Sequence, residues 1–285
     1  MNKNISPIIS AKELLKLMKV KNLVIVDVTT KNFDKNEQRF IKEALFINLD
    51  LELSNIKKDL SIGGRHPLPT IKQFKNTLNN LGITKKSHVV LYDYVNGASA
   101  AARFWWMLKS IGHQKVQVLN GGFQEAVRNG IPISSKAGEP LDISNYKVTK
   151  WKWPKVSLQE VEKATVDHKK LIIDVRDSYR YDGISEPIDL IAGHIPNAIN
   201  VPFSNNNDSN GLFKSPDDLK VFYKNVFGNI KTTEGIVHCG SGVNACQTIL
   251  AMAYAGLEIP SLYVGSWSEW SRNNKPMVTI NSSIE

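Results

Sequence analysis

Leu23–Val28, Val89–Tyr92, Leu171–Ile173 and Ile236–Val237 are apolar at nearly consecutive positions, not alternate ones. Unbroken apolar runs of this length belong to strands buried on both faces, the signature of a parallel sheet. Val116-Gln117-Val118-Leu119 and the run Ala44–Asp50 are shorter segments of the same kind. Helical signals alternate with them. Ser10-Ala11-Lys12-Glu13, Thr70-Ile71-Lys72-Gln73 and Ser157-Leu158-Gln159-Glu160 have the spacing in which a hydroxyl and an acidic or amide side chain cap the backbone reciprocally. Leu14, Leu15 and Met18 give the first of these helices an apolar face, and Phe74 and Leu78 give the second one, which stops at Leu81-Gly82. Further helical periodicity covers 100–111 and runs through Ile249, Leu250 and Met252. Strands that alternate with helices predict an α/β fold, with parallel sheets flanked by helices.

The pattern occurs twice. Asp174 closes its apolar run 147 residues after Asp27, Cys239 follows its run 146 residues after Asp93, and Gly265 lies 144 residues after Gly121. Three strand ends at a nearly constant offset predict a duplicated domain, which one large sheet would not explain. Between 130 and 146 the chain has two prolines, two glycines and three serines, with no periodicity. The expected division is 1–135, a linker at 136–150, and 151–285.

Composition narrows the class. Hydrophobic residues make up 42% of the chain and charged ones 22%, as in a globular protein. No apolar run approaches the roughly 20 residues that cross a bilayer. The first residues lack the apolar core and cleavage site of a signal peptide. Two cysteines make no disulfide framework, so a reducing, cytoplasmic setting without membrane attachment is expected. The formal charge is +9, but the 36 Lys and Arg residues are scattered. No nucleic-acid partner is expected, only some attraction for anionic substrates.

The chemistry gathers at Val237-His238-Cys239-Gly240-Ser241-Gly242-Val243-Asn244-Ala245-Cys246, where a buried strand runs into a Cys, a glycine loop and a helix. Ligands of α/β sheets sit beyond the carboxyl ends of strands. Gly240 and Gly242 let the backbone curl so that N–H groups converge as an anion nest, and the helix start adds unsatisfied donors. Such a cup favours an anionic sulfur and makes Cys239 a candidate nucleophile. Cys246, inside the helical pattern, reads as a structural apolar residue. A Cys-dependent phosphatase would need an arginine six positions after the Cys; that position is Ala245.

Cys239-Gly-Ser-Gly-Val-x-Ala resembles the active-site loop of the rhodanese superfamily, in its 3-mercaptopyruvate sulfurtransferase branch. The resemblance extends over the whole chain and implies two tandem rhodanese-like domains. It implies transfer of a sulfane sulfur from a small anionic donor, 3-mercaptopyruvate ahead of thiosulfate, through a Cys239 persulfide to a thiol or cyanide-type acceptor. A thioredoxin-like protein is one such acceptor, and no metal or organic cofactor is involved. The loop residues Gly240, Gly242, Val243 and Asn244 would cradle the sulfur. Asp174-x-Arg176-x3-Arg180-Tyr-x-Gly183 resembles the segment in which the arginine at Arg180 holds the donor's anionic end, and a planar fork suits a carboxylate. Asp174 and Arg176 read as a supporting pair. Ser241, His66 and Asp50 match a proton relay in the branch, Asp50 less closely because the intervening loop is longer. Two departures stand out: Ile188 occupies the place of a second arginine after Glu-Pro, and Asn244 replaces a loop Thr. Asp93 stands where the first half would need its Cys, so that half is expected to be non-catalytic. A sulfur carrier without efficient small-donor turnover is the rival reading.

Overall fold

The computed structural model describes residues 5–29, 38–97, 99–140 and 142–281. They divide into two compact units. One comprises Met1–Asn55, Pro69–Trp153 and Ser209–Phe213, and the other Ile56–Leu68, Pro154–Asp208 and Lys214–Glu285.

In the first unit the chain runs β1 (Ile8–Ile9), α1 (Ala11–Leu17), β2 (Leu23–Thr29), β3 (Phe40–Ile41), β4 (Leu45–Asn48), α2 (Leu49–Glu52), α3 (Ile71–Asn80), β5 (His88–Tyr92), α4 (Ala100–Ser110), β6 (Val116–Leu119), α5 (Gly122–Arg128) and β7 (Ile133–Ser134). The main sheet has the order β1-β6-β5-β2-β4 and every pairing in it is parallel. Val26, Val28, Val89, Val90 and Leu91 are fully or almost fully buried on its central strands, which is why those runs do not alternate. Helix α4 packs across β2, β5 and β6. The run Ala44–Asp50 is only partly strand: Asn48 Oδ1 accepts the N–H groups of Asp50 and Leu51 and turns the chain into α2.

The second unit runs β8 (Lys155–Val156), α6 (Leu158–Ala164), β9 (Leu171–Asp174), α7 (Ser178–Tyr181), β10 (Ala198–Asn200), α8 (Pro216–Phe227), β11 (Gly235–His238), α9 (Ala245–Tyr254), β12 (Ser261–Tyr263) and α10 (Ser266–Trp270). Its sheet is parallel throughout, in the order β8-β12-β11-β9-β10. Strand for strand this is the order of the first unit, so the constant sequence offset corresponds to a repeated topology. Asp27 pairs in register with Tyr92, and Asp174 with His238. Asp93 and Cys239 therefore follow equivalent positions on equivalent strands. All three capping boxes form, at Ser10, Thr70 and Ser157.

The aperiodic stretch after β7 lies along the first unit. Gly138 N–H donates to Ala44 O, and Tyr146 N–H to Asn79 Oδ1 at 2.7 Å. Trp151 and Trp153 pack on Phe74, Trp105 and Trp106.

Candidate active site

Cys239 is the first residue beyond β11, a buried central strand, and is itself 4% exposed. Its N–H donates to Ser266 Oγ at 3.2 Å, and that hydroxyl donates to Tyr263 O at 2.8 Å. The carbonyls of Cys239 and Gly240 accept from the N–H groups of Trp267 and Ser268. The start of α10 thus fastens the first two residues of the loop. Gly242 then turns the chain at φ +72°, where a Cβ would come within 2.4 Å of Val264 O, so only glycine fits. Helix α9 follows at once. Among the described residues, the N–H groups of Gly240, Ser241, Val243, Asn244 and Ala245 donate to no protein group. Unpaired amides in a curled loop at a helix start are the elements of an anion nest. Cys246 is fully buried in α9, and its Sγ lies 3.4 Å from Gly242 O.

The equivalent loop of the first unit shows what the curl can do. There the carboxyl of Asp93 accepts four backbone N–H groups: Val95 and Gly97 on Oδ1, at 3.0 and 2.7 Å, and Ser99 and Ala101 on Oδ2, each at 3.2 Å. Burial pushes this carboxyl's pKa up, and the four donors pull it back. The loop after β5 is an amide cup filled by its own side chain. The loop after β11 starts from the equivalent strand end, with a Cys in place of this Asp and amides that no carboxyl takes up.

Segment 61–66, from the N-terminal half of the sequence, belongs to the second unit and is held by α10. Gly63 N–H donates to Glu269 Oε1 at 2.8 Å, Arg65 N–H to Ser268 Oγ at 3.0 Å, and Asn273 Nδ2 to Ser61 O at 2.9 Å. This anchorage sets His66 Nδ1 2.7 Å from Ser241 Oγ, with the proton on either atom. The structure therefore brings together Cys239, Ser241 and His66. Asp50 lies half-buried in α2 of the first unit.

A chain of buried ion pairs lies beside the loop. Arg176 Nε bonds both oxygens of Asp174 at 3.0 Å, and its Nη2 reaches Asp174 Oδ2 at 2.5 Å and Gly193 O at 2.6 Å. The same guanidinium lies 4.5 Å over the Trp267 ring and 3.2 Å from Glu186 Oε2. Burial alone would raise the pKa of Asp174; the Arg176 charge overrides it and holds the carboxyl below the ordinary range. Glu186 is likewise lowered against its burial, through Arg180. Burial pushes the pKa of His238 down, against the pull of Asp174, whose Oδ2 lies 3.7 Å from its Nε2.

Arg180 is in this network as well. Its Nε bonds Glu186 at 2.9 and 3.0 Å, and its Nη2 reaches Glu186 Oε1 at 2.7 Å and Asp189 Oδ2 at 3.3 Å. Asp189, whose side chain is fully buried, also accepts Arg65 Nε at 2.8 Å and Nη2 at 3.1 Å, and Arg272 Nη1 at 3.4 Å. Arg65, Glu186, Asp189 and Arg272 were not singled out by sequence reasoning as site residues, because their pairing spans 124 positions at its widest. The local signal is a pair of short motifs, Gly64-Arg65-His66-Pro67 and Glu186-Pro187-Ile188-Asp189, whose pairing with each other nothing in the sequence shows.

Residues 10–129 and 157–273 match the family model described as Rhodanese-like domain. The chain is 34% identical over 253 residues to a probable 3-mercaptopyruvate sulfurtransferase of Pseudomonas aeruginosa, covering 85% of each chain. It is 32% identical over 248 residues to a thiosulfate sulfurtransferase of Gallus gallus, covering 86% of this chain and 82% of that one. A solved structure described as SseA, a 3-mercaptopyruvate sulfotransferase from Escherichia coli, aligns with a TM-score of 0.73 at 27% identity, over 93% of this chain and 100% of that one. Among the described residues, no helix is long and apolar enough to cross a membrane.

Proposed function

The chain belongs to the rhodanese-like domain family, and on that premise we propose that it is a sulfurtransferase working through a persulfide on Cys239. The observation that carries the reading is the glycine loop after β11, where five unpaired amides follow a Cys at the strand-end position at which the sister loop holds a carboxyl. The Cys239 thiolate attacks the sulfur of 3-mercaptopyruvate and an S–S bond forms. The C–S bond breaks, its electron pair passes to the pyruvate enolate, and a proton completes pyruvate. Ser241 and His66, 2.7 Å apart, supply the path for that proton, and Asp50 is the third member that the family resemblance names. Arg180 holds the donor carboxylate, and the amides of Gly240, Gly242, Val243 and Asn244 stabilise the sulfur anion.

The loaded sulfur then passes to a thiophilic acceptor, either a small thiol, cyanide or a dithiol protein of the thioredoxin kind. Attack on the outer sulfur regenerates the Cys239 thiolate. Thiosulfate is the second donor, with sulfite as leaving group. Both cysteines are free, which fits a reducing compartment such as the cytoplasm. Within a division into 1–135, a linker at 136–150 and 151–285, the first half has Asp93 in place of a nucleophile of its own and contributes His66 to the half that carries Cys239. The test is intact mass after incubation with 3-mercaptopyruvate. One added sulfur should map to Cys239 and be absent in Cys239→Ser, while Cys246→Ser loads normally. Label on Cys246, or none in the wild type, would overturn the reading.

A further inference from the structure

Basic residues are scattered along the sequence, but the first unit gathers four lysines around one cleft. Lys75 of α3, Lys85 in the turn before β5, and Lys147 and Lys152 in the stretch after β7 line it, with Ile111 and Val148 as its apolar wall. Its volume of about 520 Å3 falls within the roughly 300–1,000 Å3 of small-ligand sites. No acidic side chain lines the cleft. Among the described residues none of the four lysines belongs to an ion pair. A cleft lined by one sign of charge against an apolar wall focuses the field and concentrates anions.

We propose that this cleft binds an oligophosphate, a short chain of phosphoryl groups that is either free or the tail of a nucleotide. The backbone that carries Lys147 and Lys152 is fixed at both ends before any ligand arrives, which lowers the cost of binding. Tyr146 N–H donates to Asn79 Oδ1 at 2.7 Å, and the Tyr146 hydroxyl lies 3.0 Å from His113 Nδ1. Lys152 N–H donates to Ser110 O at 2.8 Å, and Trp153 N–H to Ser110 Oγ at 3.2 Å. Trp151 packs on Phe74, the neighbour of Lys75, with ring centroids 5.0 Å apart. A Cβ built on Gly112 would lie 3.3 Å from Lys152 Nζ, so this ammonium sits over the turn that ends α4. The lining selects the class of anion. An ammonium is a compact point charge that meets phosphate oxygens from any side, and the planar arginine fork that suits a carboxylate is absent from the cleft. Four cations around one space repel one another until an anion of several charges enters, and a single carboxylate does not supply that. No aromatic side chain lines the cleft, so it offers no platform on which the bases of a single-stranded nucleic acid would stack. Every lining residue lies in the first unit, and occupancy is read by binding alone, without sulfur transfer.

Calorimetric titration of the full chain with sodium tripolyphosphate tests the site. An ionic strength of about 0.15 M screens charges more than about 8 Å away, so the lysines at the cleft dominate the signal. One saturable site per chain is expected. Lys85 and Lys152 are exposed, so replacing them leaves the fold intact. Lys85→Gln and Lys152→Gln should each weaken Kd by at least about threefold, and the double variant by about tenfold or more. Lys150→Gln removes the same charge from an exposed position on the same stretch but outside the cleft, and should stay within about 1.5-fold of wild type. Citrate, which carries its charges on carboxylates, should bind at least about tenfold more weakly than tripolyphosphate. ATP separates the two sources: binding tighter than tripolyphosphate assigns a nucleotide tail, and equal or weaker binding assigns the inorganic chain. The site is overturned if neither anion saturates, if citrate binds as tightly, or if Lys150→Gln costs as much as Lys152→Gln. Tighter binding of a uridine hexanucleotide than of tripolyphosphate overturns it too, in favour of a nucleic-acid surface. All of these outcomes leave the sulfurtransferase reading standing.

Discussion

Ser241→Ala removes one hydroxyl from a 6% exposed side chain, and the consequences separate by donor. The hydroxyl's described partner is His66 Nδ1 at 2.7 Å. One such bond contributes about 1 kcal/mol to folding, so the variant should remain folded with a melting temperature a few degrees lower. Its effect on the reaction should be larger and selective. With 3-mercaptopyruvate the leaving group is an enolate that must gain a proton, and a positioned proton relay is worth about 10²–10⁴ in rate. With thiosulfate the leaving group, sulfite, departs as an anion and needs no proton. Wild type and variant should therefore differ by at least about 100-fold in kcat/KM on the first donor and by less than about threefold on the second, if the relay contributes even the low end of that range. Steady-state assays with cyanide as a common acceptor measure both. Equal losses on the two donors would mean that the hydroxyl shapes the cup rather than moving a proton. No loss on either would remove Ser241 and His66 from the chemistry.

The two loop glycines should fail differently. Gly242→Ala places a Cβ 2.4 Å from a backbone oxygen at positive φ, so it should destabilise the fold by at least about 1–2 kcal/mol, seen as a lower denaturant midpoint. Gly240→Ala meets side-chain ends, those of Arg65, Arg180 and Asp189, and not backbone, so it should lower the midpoint less than Gly242→Ala does while KM for the donor rises about tenfold; equal destabilisation by both would contradict this. Asp27 gives a pH effect. Burial, with the neighbouring Asp93 charge adding to it, pushes its carboxyl up to about 8, whereas the unfolded chain ionises near 4. The folded state then holds a proton that the unfolded state has lost, so stability falls as pH rises from about 4 to about 8 and stays reduced above that. Asp27→Asn should match wild type near pH 4 and exceed it by at least about 1 kcal/mol at pH 9, and parallel urea-melt profiles would refute the argument.

What was legible in the sequence is what is local. The strands of the repeat show because burial on both faces forces unbroken apolar runs such as Val24–Val26 and Leu171–Ile173. The turn at Cys239 shows because only glycines can curl the chain as Gly242 does at φ +72°. Asp50 read as the end of an apolar run, yet Asn48 caps a helix that the pattern did not reveal. The ion-pair network beside the loop was illegible for a different reason. Arg65 and Asp189 lie 124 positions apart, and an arginine in a loop has the same local sequence whether it faces solvent or a buried carboxylate. Ile188 brings no charge at its own position, while the residue beside it, Asp189, pairs with Arg65.

The filled cup after β5 bears on which small ions the protein can feel. The Asp93 carboxyl is tethered to the cup it occupies, so its effective concentration there exceeds that of any dissolved anion. Chloride, phosphate or sulfate cannot displace it at any physiological level. In the loop after Cys239 no carboxyl takes up the amides, so those same ions compete there for the five unpaired N–H groups. Background salt should therefore act as a competitor at one loop of the duplicated pair and be invisible at the other.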